Sequence, residues 1–287
     1  MPEKKKTIIT ISDHPLSPSG VGTQTRYIME ALLRTGKYRI LSFADKSGIN
    51  LLDTASSYGN SEARIGDFSK NKFNIVTKIG ISENDISIKE KIKKSLKKLK
   101  SNSVYGCLFH DTINFLKYPS AWNEIQVQKK EGLIKKIGFS LYNPQELEKL
   151  FELNYIPDLI QVPFNLIDRR FEPYLKELKN MDIEIHVRSI FLQGLLLNFK
   201  MMNEIKFSKW KKIWGRYRNW LKSIGLSPLE ACISHVLSFN DISNIVVGVD
   251  DLSQLKQIIL ASKRDTVKAP KSLISTDEKL INPLSWL

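Results

Sequence analysis

Four side chains in the first 110 residues have the types and spacing of a proton-and-charge relay. In LLDTASSYGNSEARIG, residues 51–66, a short apolar run ends in Asp53. Tyr58 follows in a Gly-bearing loop before Ser61 and Glu62 open a helix-like stretch. FNIVTK ends a second apolar run in Lys78, and VYGCLFH ends a third in His110. A phenol is a poor acid near neutrality, with an unperturbed pKa of about 10. A nearby ammonium group stabilises the phenolate and eases donation of the proton to a carbonyl oxygen. Lys78 supplies that charge if Asp53 holds it in place, and His110 orients the oxygen as a hydrogen-bond donor. Reduction of a carbonyl also needs hydride, which no side chain delivers, so this chemistry requires a cofactor.

Such groups must be brought together by elements far apart in the chain. Eight segments read as strands: TIITI (7–11), INLLDT (49–54), NIVTK (74–78), YGCLF (105–109), KKIGFS (135–140), LIQVPF (159–164), IEIHVRS (183–189) and NIVVGV (244–249). Most are continuous Ile- and Val-rich runs, as expected of parallel strands covered on both faces. Amphipathic helix-length stretches lie between most of them. In IKEKIKKSLKKLK, Ile88, Ile92, Leu96 and Leu99 make one apolar stripe. In NPQELEKLFELN, Pro144 suits a first helical turn and Leu147, Leu150 and Phe151 form the inner face. Eight alternating units predict a closed α/β (β/α)8 TIM barrel with its site at the C-terminal strand ends. Asp53, Lys78, His110, Ser140 and Gln161 all fall at or near such ends.

Composition narrows the class. At 287 residues and 42% hydrophobic, the chain suits one barrel over residues 1–287. It contains no apolar run of membrane-spanning length and no secretory core after MPEKKKTIITISDH, so no membrane partner is expected. Cys107 and Cys232 stand far apart with no metal-ligand spacing, which predicts a cytoplasmic protein without disulfide or metal site. The net charge of +14 is spread over nearly every helical segment and reads as solvated faces rather than a nucleic-acid surface. It also helps to attract an anionic dinucleotide. Trp210, Trp214, Tyr217 and Leu221 recur at helical spacing in a basic stretch, 201–225. That face packs on the barrel exterior or over its mouth, the alternative being a membrane or nucleic-acid surface helix.

Taken together, DTASSYGNSEARIG, IVTKIG, LFHD, GLIKKIGFSLYNP, LIQVPFNLIDRR, VRSIFLQGLLL, IVVGVDDLSQL and the closing INPLSW resemble the aldo-keto reductase family, in the expected order from about Ile40 onward. The resemblance implies a TIM barrel that binds NADP(H) or NAD(H) without a Rossmann fold and reduces a small-molecule carbonyl, an aldehyde or ketone. A sugar-derived carbonyl is suggested by similarity to members of surface-polysaccharide and nucleotide-sugar metabolism. It implies Tyr58 as general acid, Lys78 as its charge partner, Asp53 as the lysine's carboxylate and His110 as the carbonyl-orienting group. Ser140 and Gln161 match groups that hold the nicotinamide carboxamide. Arg188 stands where an aromatic residue usually stacks on the nicotinamide, a task a guanidinium also performs. Ser189, Gln193 and Gly194 match the loop along the pyrophosphate, and Gly248 begins the loop around the adenosine phosphate. Two positions depart from the pattern. Leu141 replaces an asparagine, and Gln254 replaces the arginine that grips a 2′-phosphate, which leaves NADP and NAD both open.

The N-terminus reads differently. TIITISDHPLSPSGVGTQTRYIMEALLRTGKYRI, within residues 1–38, resembles the first strand, Gly-rich loop and helix of a retaining two-Rossmann-domain glycosyltransferase. A fusion is expected, in which residues 7–11 serve as the first barrel strand, covered by 20–34, and pair with both 49–54 and 244–249. The loop SPSGVGTQT either turns the chain or binds an anion at a helix N-terminus. His186 and His235 read as structural, and His14 faces the barrel mouth without a nameable partner. DRR at 168–170 reads as a solvated ion pair, the alternative being a substrate-side anion contact. Two other functional readings stand beside carbonyl reduction: a silent barrel that binds ligand without turnover, and a glycosyltransferase fragment without its own chemistry.

Overall fold

The structure, a computed structural model, describes residues 6–10, 49–69, 73–82, 87–249 and 252–286. The loop SPSGVGTQT, the cover at 20–34, His14 and residues 43–48 lie outside the described residues. Eight strands lie among those described: β1 (Lys6–Thr10), β2 (Ile49–Asp53), β3 (Asn74–Ile79), β4 (Val104–Phe109), β5 (Ile134–Ser140), β6 (Leu159–Pro163), β7 (Glu184–Arg188) and β8 (Asn244–Gly248). Each pairs in parallel with the next, and β1 pairs with β8 to close the barrel. Every strand agrees with its sequence expectation to within one residue at either end. The first strand takes the expected slot, with Thr10 opposite Asp53 on one side and Gly248 on the other.

Helices alternate with the strands: α1 (Ser61–Ser69), α2 (Ile88–Leu99), α3 (Thr112–Lys117), α4 (Ser120–Lys130), α5 (Pro144–Glu152), α6 (Leu175–Asn180), α7 (Lys211–Ile224), α8 (Pro228–Leu237) and α9 (Leu252–Ala261). Their ends follow local chemistry. Ser87 caps α2 by accepting from the Glu90 amide, and Lys100 stops it in a left-handed conformation at φ 50°. Asn143 caps α5 ahead of Pro144, while Ser227 and Glu230 form a reciprocal capping box on α8. The predicted stripe Ile88, Ile92, Leu96 and Leu99 is buried against the barrel.

Two apolar layers hold the wall. Leu51, Val76, Leu108, Leu159 and Val246 cluster on their own, apart from the larger core of strand and helix residues. In that larger core Trp122 of α4 stacks on Phe139 at 5.3 Å, and Phe109 and Phe115 meet at 4.7 Å. Burying each such ring is worth roughly 1.5–3 kcal/mol. A further core contains Trp210, Trp214, Tyr217 and Leu221 with Leu192, Leu195, Leu273 and Leu280. The aromatic face of α7 is therefore a packing face, turned onto the β7–β8 connection and the C-terminal segment.

The N-terminal strand ends carry a polar floor. Glu184 accepts hydrogen bonds from Tyr105 Oη, Lys136 Nζ and His186 Nε2, each at 2.6 Å, and from Asn244 Nδ2 at 2.8 Å. Burial pushes the carboxyl up, but the hydrogen bonds from His186, Lys136 and Tyr105 outweigh it and hold Glu184 well below the usual carboxylate range. His186 has the structural place its mid-strand position suggested.

Candidate active site

The opposite ends of the strands gather the reactive groups. Asp53 is the last residue of β2, and Lys78 lies one turn of pleat from the end of β3. Lys78 Nζ donates to Asp53 Oδ2 at 2.5 Å and to the Thr54 carbonyl at 3.0 Å, with both side chains sealed from solvent. A buried ammonium needs such partners, since an isolated charge is not tolerated there.

Tyr58 is presented by a pinned loop. The Thr54 amide donates to Val76 O and the Ser56 amide to Lys78 O, so the chain leaving β2 stays tied to β3. Thr54 Oγ1 bonds Ser61 Oγ at 2.9 Å, and Thr77 Oγ1 bonds the buried Glu62 at 2.7 Å, fixing the start of α1. The result places the Tyr58 ring centroid 5.4 Å from Lys78 Nζ and 5.5 Å, edge to face, from the His110 ring.

His110 follows β4 directly, and its amide extends the ladder by bonding Ile79 O. Its Nδ1 lies 3.2 Å from Ser57 Oγ. Burial, then the Lys78 and Arg188 charges, lower its pKa from 6.5 to about 4, so the ring is neutral at physiological pH. Asp53, Tyr58, Lys78 and His110 are thus brought together as the spacing predicted.

Of the groups expected to hold a cofactor, Ser140 and Gln161 are register partners at the ends of β5 and β6. Ser140 is buried, and its hydroxyl has no partner among the described residues. Gln161 Nε2 donates to Asp53 Oδ1 at 2.7 Å, a contact the sequence reading did not anticipate. Arg188 ends β7 with its guanidinium 4.7 Å from the Tyr142 ring and bonded to Leu141 O at 3.0 Å. Ser189, Leu192, Gln193 and Gly194 all have left-handed φ, between 48° and 81°. The amides of Gln193 and Gly194 find no partner among the described residues, so this turn offers two free donors beside Arg188. That donor set fits an anionic dinucleotide, and the unpartnered Ser140 hydroxyl fits an amide headgroup. Gly248 is exposed at the end of β8, and the two residues at 250–251 beyond it are outside the described ones.

One expectation is overturned. DRR at 168–170 is not a solvated ion pair: Asp168 and Arg169 are 0% and 3% exposed. Asp168 accepts from Arg170 Nε at 2.9 Å, while Arg169 bonds the carbonyls of Leu166, Ala269 and Pro270. These residues brace the loop after β6 against the C-terminal segment. The buried destination of the motif is set by contacts about a hundred residues away, which leave no local pattern.

With this geometry in hand, comparison with known proteins is specific. The Aldo/keto reductase family profile matches residues 20–273, and the chain belongs to that family of oxidoreductases. It is similar to the uncharacterized oxidoreductase YqkF of Bacillus subtilis, at 27% identity over 94% of this chain and 96% of that one. In fold it resembles the aldo-keto reductase AKR11C1 of Bacillus halodurans (holo form), with a TM-score of 0.71 and 19% identity over 96% and 95% of the two chains. It also resembles the Bombyx mori aldo-keto reductase AKR2E4 in complex with NADP, with a TM-score of 0.63 and 16% identity over 91% and 85%. The family match begins inside the segment that resembles a glycosyltransferase, so family likeness extends further toward the N-terminus than the motifs alone indicated.

Proposed function

We propose that this protein reduces an aldehyde or ketone with NADPH or NADH, Tyr58 giving the proton. The observation that carries the reading is the convergence of Tyr58, Lys78, Asp53 and His110 at the same end of the barrel. When bound, the reduced nicotinamide supplies hydride to the carbonyl carbon. Tyr58 Oη donates its proton to the carbonyl oxygen, and the Lys78 charge stabilises the phenolate left behind. Asp53 keeps Lys78 in place. If the Ser57 hydroxyl donates to His110 Nδ1, the ring proton resides on Nε2, which makes Nε2 the donor that orients the carbonyl oxygen. Ser140 and Gln161 would hold the carboxamide, Arg188 would cover the nicotinamide face, and the turn containing Ser189, Gln193 and Gly194 would receive the pyrophosphate. Gly248 would open the adenosine loop.

The carbonyl compound is sugar-derived in this reading, as the resemblance suggests. Residues 1–287 act as one barrel whose first unit, within 1–38, came from a glycosyltransferase by fusion. The buried free thiols Cys107 and Cys232 support a cytoplasmic location.

The test follows NADPH and NADH oxidation with a panel of aldehydes, including aldoses, beside a fluorescence titration of each cofactor. Tyr58→Phe should lower turnover by about 10²- to 10⁴-fold, the usual worth of a positioned acid, while cofactor still binds. Unchanged turnover would remove Tyr58 from the mechanism. Failure to bind either cofactor would favour the silent-barrel reading.

A further inference from the structure

We infer that Gln161 is a positioning residue that fixes Asp53 against Lys78 and so links the carboxamide end of the cofactor site to the proton donor. The inference rests on the proposed role of Tyr58. Asp53 is 1% exposed, so its carboxylate relies on protein donors. Its two oxygens are divided between two strands. Oδ2 takes Lys78 Nζ of β3 at 2.5 Å, and Oδ1 takes Gln161 Nε2 of β6 at 2.7 Å. Gln161 is itself 1% exposed and sits on a strand paired on both sides, opposite Ser140 and His186. Its backbone carbonyl accepts the Leu141 amide at 2.8 Å, which pins the strand end.

The amide orientation follows from chemistry. A carboxylate only accepts, so the nitrogen of Gln161 must face Asp53, and Oε1 is the end left over. Oε1 has no hydrogen-bond partner among the described residues. One amide therefore spends its donor inside the Asp53–Lys78 pair and keeps its acceptor for a donor from outside. A ligand N–H on Oε1 polarises the amide and strengthens the Nε2–H bond to Asp53, since chained hydrogen bonds reinforce one another. An Asp53 carboxylate held more firmly by Gln161 draws less on the Lys78 ammonium. More of the lysine's field then falls on the Tyr58 phenol 5.4 Å away.

The experiment observes the Tyr58 ring directly by ¹³C-tyrosine NMR, its resonance assigned by loss in Tyr58→Phe. The phenol is titrated with and without oxidised cofactor in wild type, Gln161→Met and Gln161→Asn. In the unliganded protein, Gln161→Met should move the Tyr58 midpoint upward by about half a pH unit or more, the scale of a lost hydrogen bond near the coupled charge. Oxidised cofactor, cationic at its nicotinamide ring, should lower the midpoint in both proteins, and by more in wild type than in the variant, the difference being the part carried through Gln161. Gln161→Asn keeps an amide but withdraws it by one methylene, and it should act in the same direction, which covers the case in which Gln161→Met does not fold. Coincident midpoints in wild type and a folded variant overturn the inference. A variant that weakens cofactor affinity alone, with the midpoint and the pH profile of turnover unmoved, also overturns it, because Gln161 would then only bind. The titration needs no substrate, so absence of turnover in wild type would count against the proposed activity and not against this link.

Discussion

Lys78 Nζ and Asp53 Oδ2 stand 2.5 Å apart with side chains 1% and 2% exposed, a full ion pair enclosed between two strands. Such a pair gains little over an apolar one, yet breaking it leaves a buried charge without its counter-charge. Lys78→Met should therefore destabilise the protein by about 3–5 kcal/mol, and Asp53→Asn by a similar amount. The double variant should recover a substantial part of either loss. Urea denaturation at pH 7 measures all three, and strictly additive losses would count against a coupled pair.

Two histidines, His235 buried and His110 half-buried, predict acid sensitivity. Burial and nearby cations lower His110 from 6.5 to about 4, and burial with the Arg169 and Lys268 charges lowers His235 to about 2. Below pH 6.5 the unfolded chain takes up these protons before the folded one does, so stability falls with pH through that window and levels off above it. The melting temperature should drop from pH 7 to pH 5. His235→Gln should reduce that drop. An equal drop in wild type and variant would show that other groups dominate.

Glu184 tests the floor independently of the chemistry. Glu184→Gln turns an acceptor of four hydrogen bonds into a group that can no longer satisfy Tyr105, Lys136, His186 and Asn244 together. A loss of about 2–3 kcal/mol is expected, in the range for hydrogen bonds to a buried charge. Because the floor lies at the far strand ends, kcat should hold within about twofold. Thermal denaturation and steady-state kinetics together check this, and a large fall in kcat with stability intact would refute it.

Gly138 makes the seam between β5 and β6 possible. A Cβ there would lie 1.7 Å from Leu159 O and 2.8 Å from Leu159 C, backbone atoms that cannot yield without parting the strands. Gly138→Ala should cost about 3 kcal/mol, the upper part of the usual overpacking range. It should also disturb Ser140 and Gln161, two residues further along that seam. A denaturation midpoint equal to wild type would exclude the contact.

Much of this was legible in the sequence because parallel strands are short apolar runs with turns at both ends. NIVVGV and NIVTK announce themselves, and the residue at the end of each run is a candidate for the mouth of the barrel. Asp53, Lys78 and His110 were found in that way, and Tyr58 by its place in the loop that follows. The bond from Gln161 to Asp53 was not legible, for it joins residues 108 apart and has no period. The same holds for the floor, where Tyr105 and Asn244 meet Glu184 from other strands, and for Arg169, whose guanidinium bonds carbonyls a hundred residues further on. Periodicity reports which face a residue occupies. It says nothing of which neighbour waits there.

The closure of the barrel has an implication for how such proteins can vary. β1 is joined to β2 and β8 by main-chain ladders. Main-chain donors and acceptors are common to almost every residue type, so the gap between β2 and β8 selects for length and extension far more than for letters. A socket of that kind admits strands of different origin. It lets the first strand of the wall vary in its letters while Asp53 and Lys78 keep their places on β2 and β3.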